Sequence, residues 1–130
     1  MTQEKELLLK DLCARMPYGV KIHAKYIDTD TNTEVEKVGV LSMIDNDTVV
    51  AFTCDDTNCY NYVAIHEVKP YLFPLSSMTE EQKSILSLCN AFIEPRSIEL
   101  KLNFYNEQHI DYRGLIKKGL AIDATNLNIY

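Results

Sequence analysis

The hydrophobic period of this chain changes once, and the change limits what it can fold into. Over residues 2–16, Leu7, Leu8, Leu12, Cys13 and Met16 recur at spacings of one, three and four, as one stripe of a helix does. Glu4, Lys5, Lys10, Asp11 and Arg15 are then assigned to the remaining, solvent-facing surface. From Val20 the period is two. Val20, Ile22, Ala24 and Tyr26 alternate with Lys21, His23 and Lys25, the mark of a half-buried strand. Pro17-Tyr18-Gly19 separates the two patterns, because proline disfavours helix in the residue before it and glycine suits a turn. At 130 residues the chain has room for one domain with a core of its own.

Three more strand-like runs follow. Val35, Val38, Val40 and Met43 mark the second, with Gly39 as a candidate bulge. Residues 48–53 and 60–65 make the third and fourth, joined by Asp45-Asn46-Asp47 and by a polar loop over residues 55–58. Even spacing and polar turns predict an antiparallel meander over residues 20–66, packed against helices or curled into an SH3-like small barrel. Residues 66–75 read as an apolar, proline-containing link.

The last part reads as helical over residues 77–119. Thr79 with Gln82 forms a capping box, and Ser77 with Glu80 offers an overlapping one. The helix they open should run to about Phe92 and bury Ile85, Leu86, Leu88, Cys89 and Phe92. Residues 97–108 fit either period, with helix favoured. Asp111 reads as the cap of a short helix over residues 112–118, ended by Gly119. Residues 120–130 form a tail that adds a strand or docks Leu127, Ile129 and Tyr130. The expected fold is therefore a single α+β domain: a four-stranded meander flanked by an N-terminal helix and C-terminal helices.

Charge excludes one large class of function. With 13 basic and 19 acidic residues the formal net charge is −6, which disfavours a broad nucleic-acid surface. The acids gather in the turns of the meander, at Asp28, Asp30, Asp45, Asp47, Asp55 and Asp56. From Arg96 onward the signs nearly balance, which leaves room for a small anionic ligand. No apolar run is long enough to span a membrane, and the first residues lack a signal-peptide pattern, so a cytoplasmic location is expected.

Catalytic signatures are missing from the sequence. Four glycines build no phosphate loop, and neither a nucleophile elbow nor a zinc-protease motif occurs. Cys54, Cys59 and His66 lack the paired spacing of a structural zinc site, so reduced thiols and no metal are expected. No cofactor and no catalytic residue is assigned. The densest polar cluster is His109-Ile110-Asp111-Tyr112-Arg113. As a ligand site, Arg113 would hold a phosphate or carboxylate, Tyr112 would stack a base, and His109 would read its edge. As a structural junction, Asp111 would cap and Arg113 would pin a loop. Lys69 and Tyr71 join His109, Asp111, Tyr112 and Arg113 as candidate ligand contacts. Tyr60, Tyr62, Tyr71, Tyr105 and Tyr112 either line a groove or edge a small core.

Two motifs carry a family resemblance: Lys69-Pro70-Tyr71-Leu72-Phe73-Pro74-Leu75-Ser76-Ser77-Met78-Thr79-Glu80-Glu81 and His109-Ile110-Asp111-Tyr112-Arg113-Gly114-Leu115-Ile116-Lys117-Lys118-Gly119-Leu120-Ala121. With the opening Leu7-Leu8-Leu9-Lys10-Asp11-Leu12-Cys13-Ala14-Arg15-Met16-Pro17-Tyr18-Gly19-Val20, the chain resembles a family of small proteins from Bacteroides-type bacteria, their phages, prophages and mobile elements. Phe73 departs from the arginine of that pattern, and the loop after Tyr26 is expanded. The resemblance implies a phage or mobile-element context and a helix before Asp111; it brings no activity with it.

Three functions follow as expectations. The first is a non-enzymatic binding protein acting on the host, in its sharpest form a sponge that sequesters a nucleotide immune signal. The second is a protein-interaction module that grips a bacterial or phage protein. The third is a phosphodiesterase-like enzyme on such signals. A homo-oligomer is compatible with each.

Overall fold

The structure, a computed structural model, describes residues 2–45, 49–54 and 60–130. Helix α1 spans Gln3–Arg15, and the Thr2 side chain caps it by accepting from Lys5 N–H. A short 3₁₀ turn, Met16–Tyr18, ends at Gly19 in the left-handed conformation that glycine adopts without penalty. The chain then enters β1 (Lys21–Asp28), β2 (Thr33–Asp45), β3 (Val49–Thr53) and β4 (Tyr60–Ala64), each antiparallel to the one before. Asn46, Asp47, Thr48 and the loop expected over residues 55–58 lie outside the described residues, as does Cys59.

The meander is thus present, but the sheet stays open and does not close into a barrel. Its order is β4-β3-β2-β1-β5-β6, with β7 also on β5. Here β5 is Val68–Pro74, β6 is Ile110–Asp111 and β7 is Ile122–Asp123. The segment read as a link is therefore a strand. It pairs antiparallel with β1 through Ile22↔Pro70, His23↔Lys69 and Ala24↔Val68, and parallel with β6 and β7. Its two prolines hide it, since proline lacks the N–H a ladder uses.

Gly39 is not the bulge. It pairs in register with Ile22, and the register shift falls between Leu41 and Met43. Its demand is space: a Cβ there would meet Thr53 O at 2.6 Å and the Phe52 ring at 2.7 Å.

Alternation from Val20 into β1 places Val20, Ile22 and Ala24 at zero exposure, and they join Leu8 and Leu12 of α1, Phe52 and Leu72 in the core. Three other residues of α1 depart from expectation. Asp11 and Arg15, assigned to solvent, are wholly buried, and Cys13, assigned to the stripe, is exposed.

The C-terminal helices are α2 (Glu80–Leu88) and α3 (Arg96–Glu107), so the ambiguous segment is helical. The capping box is formed: Gln82 N–H donates to Thr79 Oγ1, and Thr79 N–H donates to Gln82 Oε1. No residue of α2 is buried, however. Of the side chains expected inside, only Cys89 is; Leu86 is half-buried, and Ile85, Leu88 and Phe92 are exposed. The helix expected over residues 112–118 is instead a run of turns, because Gly114 sits at φ +76° and breaks the helical path. The tail supplies β7 and docks Tyr130.

Candidate functional site

The junction after α3 is built by one left-handed residue. His109, at φ 59°, turns the chain out of α3 and into β6, where its carbonyl accepts from Phe73 N–H at 2.8 Å. The next residues then face back toward α1. Asp111 is buried, and its two oxygens accept from the N–H groups of Leu115 and Ile116, both at 2.9 Å. It is a cap, but of the 115–119 turn and not of a helix.

Arg15 comes to the same place from α1. Its Nε donates to Asp11 Oδ2 at 2.9 Å, and its terminal nitrogens donate to the carbonyls of Tyr105 (3.3 Å) and Ile110 (2.6 Å). Arg113 donates to the other Asp11 oxygen at 2.8 Å. One buried carboxylate therefore holds two guanidiniums, one from its own helix and one 102 residues away. Such a set is tolerated in low dielectric only because each charge has its partners.

Tyr112 is enclosed by the same groups. Its ring stacks on Tyr105 at 5.2 Å, with the Arg113 guanidinium 4.4 Å and that of Arg15 5.5 Å from its centroid. His109 stacks on Tyr130 at 4.0 Å and 12°. Burial first, and then the Arg15 charge, push its imidazole down to about 4, so it is neutral at physiological pH. Tyr130 accepts from Lys21 N–H and donates to the Tyr71 carbonyl at 2.8 Å. Burial raises the Tyr130 phenol well above its usual range. Among the described residues, Asn106 Oδ1, His109 Nδ1 and Tyr112 Oη are buried without a protein hydrogen-bond partner.

Of the six expected ligand contacts, the structure thus gathers His109, Asp111, Tyr112 and Arg113 into one packed junction, with Tyr71 tied to it through Tyr130. Asp111 and Arg113 spend their polar groups on the protein itself. Lys69 stands apart. It is exposed on β5 and borders two adjoining clefts of about 380 and 390 Å³. Lys5, Leu8 and Val68 line the first, His23, Lys25 and Glu36 line the second, and His66 is shared. Lys25 already pairs with Glu34 and Glu36. The tyrosines do not form one groove. Tyr60 and Tyr62 are exposed on β4, which β3, β2 and β1 separate from Tyr71 on β5.

A second surface escaped the sequence reading. The hairpin formed by α2, the Cys89–Ala91 turn and α3 exposes Ile85 (44%), Leu88 (69%), Phe92 (52%), Ile93 (87%), Ile98 (48%) and Leu102 (38%). Single exposed apolar residues are ordinary, but six within eighteen positions are not. The signal available was quantity: α2 and the turn after it carry more apolar residues than one contact face can bury.

Among the described residues, no group of three or more His, Cys, Asp or Glu is placed to hold a metal ion, and no helix is long and apolar enough to cross a membrane. Comparison with protein-family models, curated proteins and solved structures finds no match.

Proposed function

We propose that this chain is a non-enzymatic binding protein whose working surface is the α2–α3 hairpin, and that it acts as a protein-interaction module. The observation that carries this reading is the exposure of six large apolar side chains on one helical hairpin, while Asp111 and Arg113 of the polar cluster bond within the protein. The resemblance to proteins of Bacteroides-type bacteria and their phages supports a bacterial cytoplasmic setting. The test is cross-linking in such a host, comparing the natural chain with the Leu88→Glu/Ile93→Glu variant. Cross-links from residues 85–102 that the variant loses are expected. Cross-links confined to the meander, or unchanged in the variant, overturn the reading.

One observation favours the nucleotide-sequestering alternative. Lys5 and Lys69 border the first cleft, with Glu4 also on its rim, and neither lysine has a side-chain ion pair among the described residues. Incubation with cyclic dinucleotides and ADP-ribose derivatives, followed by heat release and chromatography, tests it. Retention abolished by Lys69→Ala supports a sponge; no retention at micromolar protein ends that alternative. A ligand returned cleaved would make the chain an enzyme.

A further inference from the structure

We propose that β4 is a strand-addition site: its edge takes an extended segment of a partner protein, apolar at alternate positions and carrying lysine or arginine. The site is separate from the hairpin and does not depend on it.

Hydrogen-bond parity decides which backbone groups the edge offers. Residues of an antiparallel strand turn their N–H and C=O groups alternately to one neighbour and to the other. Leu41 N–H donates to Val20 O at 3.0 Å, so Leu41 faces β1 and Val40 faces β3. Thr53, opposite Val40, then faces β2, and Phe52 faces its partner Asn61 on β4. Along β4, Asn61 and Val63 therefore bond to β3, and Tyr60, Tyr62 and Ala64 point off the sheet. Ala64 agrees, since its N–H donates to Glu67 Oε1 at 3.0 Å and not to the ladder. Among the described residues, nothing takes up the backbone N–H and C=O groups of Tyr60 and Tyr62. Native sheets blunt such an edge with lysine, proline or a bulge. Tyr60-Asn61-Tyr62-Val63-Ala64 has none of these, and Glu67 closes only the Ala64 end.

The side chains favour the same occupant. Tyr60 and Tyr62 share one face of the sheet, and both are more than half exposed. Met43, Ala51 and Tyr62 stand in one row across three strands, beside a hollow of about 170 Å³ that Asp45 and Val49 also line. Residues opposite Tyr60 and Tyr62 on an added strand would fall on that face, where apolar side chains lie against the rings. Charge separates a partner from a second copy. Between Val38 and Val68 the sequence has five acids and no lysine or arginine. A second β4 would bring the same acids against their like, whereas a basic segment is drawn to them.

Hydrogen exchange followed by NMR tests the edge directly. In the free chain the Tyr60 and Tyr62 amides should exchange fast while those of Asn61 and Val63 are protected. Slow exchange at Tyr60 and Tyr62 overturns the inference, because the edge is then already covered. The binding probe is a displayed library of random peptides of about ten residues. Selected peptides should alternate apolar residues, be rich in lysine and arginine, and slow exchange at Tyr60 and Tyr62. Tyr62→Pro deletes an outward N–H and no ladder bond, so it should keep the circular-dichroism melt and weaken those peptides about tenfold. Should it fail to fold, Tyr60→Lys/Tyr62→Lys takes its place with the same loss expected. Selection of acidic peptides, or a dimer that protects the same amides, overturns the basic partner. Peptides that ignore the edge variants, or no selected peptide at all, overturn the site. Peptides lost with Leu88→Glu instead belong to the hairpin, so the two surfaces fail separately.

Discussion

The Asp11–Arg15–Arg113 junction and the α2–α3 hairpin invert the usual placement of residues in opposite directions. The junction takes charges inside: Asp11 and Arg15 have no exposure at all. The hairpin leaves apolar side chains outside, up to 87% exposed. The junction is complete, since each charge there meets a partner within 3.3 Å. The hairpin is unfinished, since no described residue covers it fully. What the difference teaches is where to look for structure and where for function. Buried charges that pair with one another are architecture, whereas an apolar face left exposed points outward.

The largest expected effect breaks the comparison from the junction side. Asp11→Ala strips both guanidiniums of their carboxylate and should cost about 3–5 kcal/mol in urea unfolding. A loss under about 1 kcal/mol would mean that the junction is not a closed charge set. Asp111→Ala comes next: two N–H groups lose a charged acceptor, for about 2 kcal/mol by the same measurement.

A pH series sharpens the comparison. The folded pKa of His109 lies below its ordinary value of 6.5, at about 4. The unfolded chain therefore binds that proton first, and stability falls as pH drops from about 6.5 toward 4. The groups facing it are Arg15 and Tyr130, and protonation would set a second cation against Arg15. Discounted for partial exposure, the effect is on the order of 1 kcal/mol. His109→Asn tolerates the left-handed backbone and should flatten this part of the profile. The smallest effect is on the hairpin: Leu88→Glu should change the stability of the monomer by less than about 0.5 kcal/mol. A large loss there would mean that Leu88 packs inside the fold after all.

Local signals made much of the fold legible. Thr2 caps α1, Thr79 and Gln82 close their box, and β1 alternates as its sequence alternates. Each depends on residues a few positions apart. What escaped depends on distant partners. Periodicity sends Asp11 and Arg15 to solvent because it cannot see Tyr105, Ile110 and Arg113. β5 was hidden by Pro70 and Pro74, although β1 and β7 supply its neighbours. Asp111 was legible as a cap but not as the cap of a turn, since Gly114 could be helical or left-handed on sequence alone. At the candidate site, Asp111 and Arg113 were rightly read as a polar cluster, but the acid that binds Arg113 lies at the other end of the chain.

That distance also sets an order of assembly. The ribosome makes α1 before the sheet and α3, yet Arg15 bonds to carbonyls 90 and 95 residues later, and Lys21 to the Ile129 carbonyl 108 residues later. Until those segments emerge, docking α1 would bury Asp11 and Arg15 with only each other for partners. The β1–β4 meander, whose strands pair with their neighbours in sequence, can form meanwhile. A helix made before the sheet is thus fitted after it, and a nascent chain halted before Tyr105 should hold a sheet with α1 still loose.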